Sequence, residues 1–357
     1  MTHDFSALLN DFRGRLEPAI VDWLGERRRR TATYARQAVE LTDCLQDLIS
    51  AGGKRLRPAL VHFGFVAAGG EDPARALPMA MATELLHTYL LIHDDIMDHA
   101  ETRRGLPAAH RRFRDRHQAS GWRGDSADYG VSMAILVGDL AHSFALELFH
   151  STEAPPRIAR ELQGTFFAMC QEVIDGQFLE MHQGLERDPT AADLERVLRL
   201  KSGLYSVERP LQLGATLAGA DEDLQAAFST YGRATGEAFQ LQDDLLGIFG
   251  DAAATGKPVG GDLREGKFTF LIHFAFKAAG AADRRRIRNA LGNLDAPEAE
   301  VSAVCELIRA SGAEDRVRQM IAERSQTARE ALQGSAIRPA GLAFLNGLID
   351  YLTERQS

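Results

Sequence analysis

The sequence predicts an all-α protein. Alanine and leucine recur with helical periodicity nearly throughout, and the alternation of β-branched residues that marks strands is scarce. Turn signals such as Ala51-Gly52-Gly53 and Ala154-Pro155-Pro156 separate the periodic segments. No Pro-, Gly- or Ser-rich linker divides the 357 residues. We therefore expect residues 1–357 to form a single helical domain.

Each predicted helix follows a turn signal or a break in periodicity. The first follows Gly52-Gly53, the second the turn from Gly69 to Pro73, the third the Gly121–Gly130 loop, and the fourth Pro155-Pro156. Asp188-Pro189-Thr190 precedes the fifth, and several more helices are expected in the last ninety residues. The helices before residue 250 are predicted at Leu56–Ala68, Arg75–Asp98, Asp128–Phe149, Arg157–His182, Leu194–Ser202, Leu204–Leu217 and Asp223–Phe249.

Composition excludes several classes of protein. The net charge of −9 argues against general affinity for nucleic acid, and the basic run Arg27–Arg30 is typical of a solvated helix face. Cysteines 44, 170 and 305 have no metal-site or disulfide spacing, which favours a reducing, cytoplasmic compartment. The amino terminus lacks the apolar core of a signal peptide, and the most apolar stretch contains Glu84 and His87. We expect no membrane span.

Two acidic clusters, each followed by basic residues, are the main chemical signal. His93-Asp94-Asp95-Ile96-Met97-Asp98 leads to Arg103-Arg104, and Gln240-Leu241-Gln242-Asp243-Asp244 leads to Lys257 and Lys267. Dense carboxylates bind hard cations, and Arg or Lys side chains bind the anionic oxygens that such cations bridge. The pattern indicates a site for a diphosphate.

Helical spacing gives the first cluster its geometry. Asp94 and Asp98 share a helix face one turn apart, whereas Asp95 lies about 100° round the helix. Two carboxylates so placed can each give an oxygen to Mg²⁺, which keeps water or substrate oxygens in its remaining positions. Leu85, Leu86 and their neighbours make the preceding turns strongly apolar, so these acids do not belong to a solvated helix. In the second cluster Gly247 replaces a third aspartate, which predicts fewer metal ligands there.

A second anion site is predicted near residue 54. Gly52-Gly53-Lys54-Arg55-Leu56-Arg57-Pro58 places flexible glycines and three cations at a helix start, where free N–H groups also favour an anion. His87 lies two turns before Asp94 on the same face and can donate a hydrogen bond to phosphate. Gln240, three residues before Asp243, can share the face of that carboxylate.

Six ordered motifs make the chain resemble the trans-isoprenyl diphosphate synthases. They are Gly-Gly-Lys-Arg-x-Arg-Pro, His-x-x-x-x-x-His-Asp-Asp-x-x-Asp, Arg-Arg-Gly, Gly-Gln, Lys-Ser and Phe-Gln-x-x-Asp-Asp, between Gly52 and Lys267. The family fold is an all-α bundle around a central cavity, and its members are usually homodimers. The resemblance implies a Mg²⁺-dependent 1′-4 condensation of isopentenyl diphosphate with an allylic diphosphate, with three ions per site.

The resemblance also assigns roles. Asp94, Asp98 and Asp243 would be the main Mg²⁺ ligands, supported by Asp95 and Asp244. The allylic diphosphate would bind Arg103, Lys201 and Lys257, and isopentenyl diphosphate would bind Lys54, Arg57, His87 and Arg104. The remaining matches, which would line or support the pocket, are Gln177, Ser202, Gln240 and Lys267.

Product length should depend on side chains below Asp94. Tyr89 lies about 7.5 Å along the helix axis from Asp94 and is the bulkiest candidate for the pocket floor, with Leu90 and Leu86 as the other candidates. The resemblance implies that an aromatic residue at this position limits elongation. The non-aromatic Leu90 and the lack of an insertion in the first acidic motif resemble the twenty-carbon producers of the family, which favours geranylgeranyl over farnesyl diphosphate.

Three other functions fit parts of the pattern. A class I terpene cyclase would share the first acidic motif, but it would not need the second diphosphate site formed by Lys54, Arg57 and Arg104. A non-catalytic subunit of a heteromeric synthase usually has eroded acidic motifs, whereas here only Gly247 departs. A purely structural helical protein explains the periodicity but not the ordered carboxylates and cations.

Overall fold

The computed structural model describes residues 4–185, 189–250 and 260–353. Nearly all of these residues are helical, and a two-stranded hairpin is the only sheet among them, so the predicted all-α class is confirmed. By its internal contacts the chain divides into two compact units. The first unit is Ser6–His62 with Glu71–Pro155, and the second is Met1–Phe5, Phe63–Gly70 and Pro156–Ser357. That residues 1–357 form one domain stays a prediction.

The first unit contains the helices that carry the first acidic cluster and the predicted second anion site. Two short 3₁₀ turns, Arg36–Ala38 and Pro73–Ala76, connect its helices. The division between the units falls within α1 and α3. The elements are α1 Phe5–Ala32, α2 Val39–Ser50, α3 Leu56–Ala67, α4 Leu77–Met97, β1 Thr102–Arg103, β2 Leu106–Pro107, α5 Ala109–Ala119 and α6 Ser126–Ser151.

The second unit contains the second acidic cluster. A π-helical segment, Leu198–Glu208, joins two of its α-helices without a break. The helices are α7 Pro156–Leu185, α8 Ala191–Val197, α9 Arg209–Ala218, α10 Glu222–Phe249, α11 Gly261–Arg264, α12 Phe270–Ala278, α13 Ala281–Ala290, α14 Glu298–Ala310, α15 Ala313–Ala331 and α16 Pro339–Thr353.

Helix α6 is the apolar centre of the first unit. Asp125 caps it, because its carboxylate accepts hydrogen bonds from the N–H groups of Ala127 and Asp128. Its buried face packs on α2, α4 and α5. By length and composition α6 alone, among the described helices, could cross a membrane, but core helices of soluble proteins pass the same test. Its buried residues pack inside the first unit, whereas Ile135 and Leu136 are exposed.

Helix α10 is the corresponding central helix of the second unit. Asp221 accepts a hydrogen bond from the N–H of Leu224 and caps its start. Leu241 and Leu245 are buried in one apolar cluster with residues of α8 and α11 to α15. The fully buried Tyr231 donates its hydroxyl hydrogen to the Leu345 carbonyl in α16. Apolar burial therefore fixes the end of α10 that carries Asp243 and Asp244.

The predicted break between two helices at Gly203 is wrong. Helical hydrogen bonding continues through this residue as the π-helical segment Leu198–Glu208, which then becomes α9. Gly236 of α10 lies against this segment, and a Cβ there would approach the Ser202 carbonyl oxygen to 2.7 Å. Glycine at 236 and 203 lets the two backbones approach closely, so Gly203 is a packing residue here and not a turn.

Candidate active site

The first acidic cluster forms the end of α4. The N–H of Asp98 donates to the Asp94 carbonyl at 2.8 Å, so the helical turn continues and the two residues lie one turn apart. Asp94 is half-buried and Asp98 is exposed, whereas Asp95 is only 1% exposed. The predicted metal ligands thus differ in access, because Asp94 and Asp98 reach the surface of the unit and Asp95 points into it.

Asp95 binds Arg103 directly. Both Nε (2.9 Å) and Nη2 of Arg103 donate to Asp95 Oδ1. The hairpin β1–β2, in which Arg103 pairs with Leu106, returns the chain toward α4 and brings this guanidinium to the cluster. Burial opposes the charged form of Arg103, but the hydrogen bonds and charge of Asp95 raise the pKa overall. In this structure the Asp95 carboxylate positions Arg103.

A group of cations lies at the start of α3 and on the hairpin. Arg57 Nη1 lies 3.1 Å from His87 Nε2, and Arg104 Nη1 donates to the Leu48 carbonyl at 3.1 Å. Burial, followed by the charges of Arg57 and Arg104, lowers the pKa of His87 well below its usual range. His87 is therefore neutral and accepts the Arg57 hydrogen bond at Nε2. Lys54 is half-buried in the same loop.

The second acidic cluster lies near the end of α10. Gln240 Nε2 donates to Asp244 Oδ1 at 2.9 Å, and Ser202 Oγ donates to Gln240 Oε1 at 2.7 Å. The Gln240 amide thus contacts Asp244, the residue one full turn on. Asp244 is buried and Asp243 is half-buried.

The protonation of Asp244 depends on its surroundings. Burial raises the pKa of Asp244 to about 8. The carboxylates of Asp262, Asp243 and Glu180 add to the shift, whereas the hydrogen bond from the Gln240 amide opposes it. Negative charge is therefore crowded around this residue, and a cation would relieve it.

Asp262 fills the space that a third aspartate of the second cluster would need. A Cβ on Gly247 would lie 2.0 Å from Asp262 Oδ2. Asp262 is buried and lies 3.4 Å from Lys267 Nζ. Position 247 must therefore be glycine to leave room for the carboxylate of Asp262, which lies on α11, fifteen residues further along the chain. The sequence shows that position 247 lacks an aspartate, but it does not show that the Asp262 carboxylate occupies this space.

Lys201 and Lys267 of the second unit are ion-paired. Lys201 Nζ donates to Glu180 Oε2, and Lys267 Nζ lies 2.9 Å from Glu265 Oε2. Burial opposes the charged form of Lys267, but the charges of Asp262 and Glu265 raise its pKa well above the usual range. Gln177, on α7, has a buried side-chain oxygen without a hydrogen-bond partner among the described residues. The predicted ligand Lys257 lies outside the described residues.

The candidate floor residues lie one to two turns before Asp94 on α4. The Tyr89 ring lies 4.8 Å from the His93 ring and 5.0 Å from the His142 ring of α6. Leu86 is fully buried and Leu90 is half-buried. His142, which the sequence analysis did not single out, is an aromatic partner of Tyr89 on another helix. Only the packing of α4 on α6 reveals it.

Sequence reasoning missed Glu84 as a member of the first unit's site, and it counted Arg55 among three cations without giving it a separate role. Glu84, on the apolar part of α4, accepts a hydrogen bond from Arg55 Nη1, and both side chains are 1% exposed. One signal was available, because a carboxylate within a strongly apolar helix is expensive to bury unless it is paired.

A family model for polyprenyl synthetases matches residues 38–308. The chain belongs to the polyprenyl synthetase family. This polyprenyl synthetase is 36% identical over 313 residues to geranylfarnesyl diphosphate synthase of Aeropyrum pernix, covering 86% of this chain and 92% of the relative. It is 34% identical over 315 residues to (2E,6E)-farnesyl diphosphate synthase of Mycobacterium bovis, covering 85% and 80%.

A solved structure agrees with this membership over nearly the whole chain. The polyprenyl synthetase is similar to geranylgeranyl pyrophosphate synthase from Corynebacterium glutamicum, solved with isoprenyl diphosphate and magnesium. The TM-score is 0.89 at 34% identity, and the match covers 96% of this chain and 99% of the other. The all-α isoprenoid synthase fold predicted from the motifs is thereby confirmed.

The family is magnesium-dependent, and the residues of this polyprenyl synthetase fit that ion. Asp94 and Asp98 offer carboxylate oxygens one turn apart, and the raised pKa of Asp244 marks a second place where negative charge is concentrated. Among the described residues no group of three or more His, Cys, Asp or Glu side chains could hold a metal ion. The predicted ligands Asp94 and Asp98 would fill only part of an octahedral shell, and its other positions would be open to water and substrate oxygens.

Proposed function

We propose that the chain catalyses the Mg²⁺-dependent 1′-4 condensation of isopentenyl diphosphate with an allylic diphosphate and releases geranylgeranyl diphosphate. Its membership of the polyprenyl synthetase family makes it a prenyltransferase. The observation that carries the finer proposal lies in the first unit. One anion site there is lined by carboxylates and Arg103, and a second is lined by Lys54, Arg57 and Arg104. The allylic diphosphate, which would bind through Mg²⁺, matches the site with carboxylates. Isopentenyl diphosphate, which would bind without metal, matches the site with cations alone.

The reaction needs charge stabilisation more than a protein nucleophile. Ionisation breaks the allylic C–O bond, and its electron pair leaves with the diphosphate. Asp94 and Asp98 of the first unit, and Asp243 of the second, would offer carboxylate oxygens to Mg²⁺, which would supply Lewis-acid stabilisation of the leaving group. We assign three ions to the loaded site. Arg103 and Lys201, with Lys257 outside the described residues, add fixed positive charge for the same group.

The second substrate supplies the electrons for the new bond. Lys54, Arg57 and Arg104 hold the diphosphate of isopentenyl diphosphate, and the neutral His87 keeps the Arg57 guanidinium in place. The double bond attacks the allylic cation to form the C–C bond, and a proton then leaves for the released diphosphate. Pre-positioning of the two substrates supplies much of the rate, and the apolar face of α4 excludes the water that would trap the cation.

Geranylgeranyl diphosphate is proposed from the pocket floor and not from the relatives. The similar proteins named above are synthases of farnesyl, geranylgeranyl and geranylfarnesyl diphosphates, so similarity alone does not choose the length. We propose that Tyr89, whose ring contacts that of His142, stops elongation below Asp94. A shorter, farnesyl product is the main alternative. We further propose a homodimer, because α7 exposes the apolar side chains of Phe167, Ile174, Phe178, Met181 and Leu185. We also propose a cytoplasmic location, because the three cysteines are free.

The test is a product assay. The purified protein is incubated with Mg²⁺, labelled isopentenyl diphosphate and dimethylallyl, geranyl or farnesyl diphosphate in turn, and the dephosphorylated products are separated by length. A dominant twenty-carbon alcohol supports the proposal, and a fifteen-carbon one keeps the reaction but contradicts the floor. Cyclic hydrocarbon without condensation would indicate a cyclase, and no turnover would indicate a non-catalytic partner subunit.

A matched pair of variants tests the metal assignment in the same assay. Asp94→Ala should reduce turnover by about 100-fold or more, because it removes a ligand of the leaving-group metal. Asp115→Ala removes an exposed carboxylate of α5 and should leave turnover unchanged. Both variants should keep the wild-type circular dichroism. Full activity of Asp94→Ala would contradict the assignment.

A further inference from the structure

Glu84 is a buried carboxylate that no step of the proposed reaction uses. It lies on α4 among apolar residues, one turn before His87, and its side chain is 1% exposed. A buried charge is tolerated only when charged or hydrogen-bonding partners satisfy it. Arg55 Nη1 donates to Glu84 Oε1, and Arg104 Nη2 lies 3.7 Å from the same oxygen. Glu84 thus contacts cations from two separate segments of the chain.

Arg55 is held too deeply to bind a substrate itself. Its side chain is 1% exposed, and its Nη2 donates to the Ile49 carbonyl while its Nε donates to Glu17 Oε1 at 3.3 Å. The Arg55 backbone has φ of 54°, a left-handed conformation that costs free energy in a non-glycine residue. Tertiary contacts must therefore maintain it. Because Lys54 and Arg57 flank Arg55 in the same loop, anchoring Arg55 also places these two side chains.

The two guanidinium groups meet at Gly53. A Cβ on Gly53 would lie 2.9 Å from Arg104 Nη2 and 3.2 Å from Arg55 Nη1, so a larger residue there would have to displace a guanidinium group. Like charges this close repel each other. Burial, together with the charges of Arg55 and Arg103, lowers the pKa of Arg104, and the charge of Glu84 opposes this shift. Glu84 is the described carboxylate that bridges both arginines.

We propose that Glu84 is the positioning residue of the second anion site, which Lys54, Arg57 and Arg104 line. It holds Arg104 directly, and it holds Lys54 and Arg57 through Arg55, at the spacing that binds isopentenyl diphosphate. This inference rests on the proposed function, since it deepens the assignment of that site. Asp95 performs the parallel task for Arg103 at the metal-lined site. Each diphosphate site of the first unit therefore has its own buried carboxylate.

The deciding variant is Glu84→Gln, which keeps the shape of the side chain and removes its charge. Its KM for isopentenyl diphosphate should rise about tenfold or more, the loss expected for a hydrogen bond to a charged group, while its KM for the allylic substrate changes less than about twofold. Calorimetric titration with isopentenyl diphosphate in EDTA should show the same weakening without turnover. Glu17→Gln is the matched control, because it removes the half-exposed carboxylate on Arg55 and should have little effect.

The outcomes separate this inference from the proposed function. An unchanged KM for isopentenyl diphosphate in folded Glu84→Gln overturns the inference, and so does an equal rise of both KM values, which indicates a merely structural role. If Glu84→Gln does not fold, Arg55→Lys is tested by the same comparison of the two KM values. This variant keeps the positive charge but loses the guanidinium that contacts both Glu84 and the Ile49 carbonyl. The proposed function fails separately, if the wild type does not condense the substrates or Arg57→Ala leaves the KM for isopentenyl diphosphate unchanged.

Discussion

Asp94 and Asp244 carry the same carboxyl group in different surroundings. Asp94 is half-buried at the end of α4, whereas Asp244 is 8% exposed and lies near Asp262 and Glu180. Both residues belong to Asp-Asp pairs that look equivalent in the sequence. In the structure the second residue of each pair is the buried one, and its oxygen accepts from Arg103 in one case and Gln240 in the other. We infer that the first residue of each pair is the more accessible metal ligand.

The raised pKa of Asp244 predicts a pH dependence of stability without metal. The folded state keeps a proton that the unfolded chain releases near the ordinary value of 3.8, so stability contributed by neutral Asp244 is lost as pH rises toward about 8. One proton contributes a slope of at most roughly 1.4 kcal/mol per pH unit. Urea unfolding in EDTA between about pH 5 and pH 8 measures it.

Asp244→Asn is the control for that measurement. It removes the titrating group while keeping a polar side chain near Gln240, so its stability should fall less steeply with pH than that of the wild type. Mg²⁺ should stabilise the wild type more at pH 8 than at pH 6, because the metal binds the ionised carboxylates. Equal slopes in the wild type and Asp244→Asn would show that Asp244 is ionised across the range.

At the scale of single elements, α4 performs three tasks with different faces. Its apolar face packs on α6, its last turn presents Asp94 and Asp98, and its side toward α3 carries Glu84 and His87. The helical period predicts which residues share a face but not which neighbour each face meets. For that reason Tyr89 was predicted as a floor residue, whereas its partner His142 was not.

The contact between α4 and α6 predicts a change in product length. Tyr89→Ala should lengthen the main product by at least one isoprene unit, because it removes the ring proposed as the pocket floor. His142→Ala should shift the product mixture in the same direction by a smaller amount, since it removes the support of that ring. Product chromatography after dephosphorylation measures both effects.

An exposed tyrosine provides the control. Tyr34→Ala makes the same substitution at a side chain that is 75% exposed, and it should leave the product mixture unchanged. If Tyr89→Ala also gives the wild-type product, the ring is not the floor. If His142→Ala alone has no effect, the floor consists of Tyr89 without support from α6.

For the molecule as a whole, the exposed face of α7 is the largest apolar feature left on a single described helix. Phe167, Ile174, Phe178, Met181 and Leu185 lie on one side of α7, opposite Gly176, which packs on the backbone of Lys201. Their exposures range from 46% to 84%. Such a continuous apolar stripe is typical of a surface that another protein covers. The proposed homodimer would cover it with a second copy of the chain.

That surface predicts the mass in solution. Light scattering during size exclusion should give twice the chain mass of 39.1 kDa for the wild type. Ile174→Glu should shift the mass toward one chain, because it places a charge in the middle of the stripe. Gln37→Glu adds the same charge at an exposed position outside α7, in the 3₁₀ turn Arg36–Ala38, and should leave the dimer intact. A monomeric wild type would contradict the proposal.

The sequence by itself determined the properties that depend on neighbouring residues. The all-α class, the positions of α3, α4, α6, α7 and α10, and the one-turn spacing of Asp94 and Asp98 follow from helical periodicity, turn residues and motif spacing. Family membership also followed from the order of the motifs. The π-helical segment escaped prediction, because its side-chain periodicity is too close to that of an α-helix with a break at Gly203.

The tertiary structure decided everything that depends on residues distant in the chain. Glu84 meets Arg55 across 29 positions, the Asp262 carboxylate occupies the space beside Gly247, and Ser202 bonds Gln240 across 38 positions. Burial of Asp95 and Asp244, and the raised pKa of Asp244, likewise arise from packing. Local patterns fix which residues form a helix, but charge, desolvation and steric contact act through space, so their outcome appears only once the helices are packed.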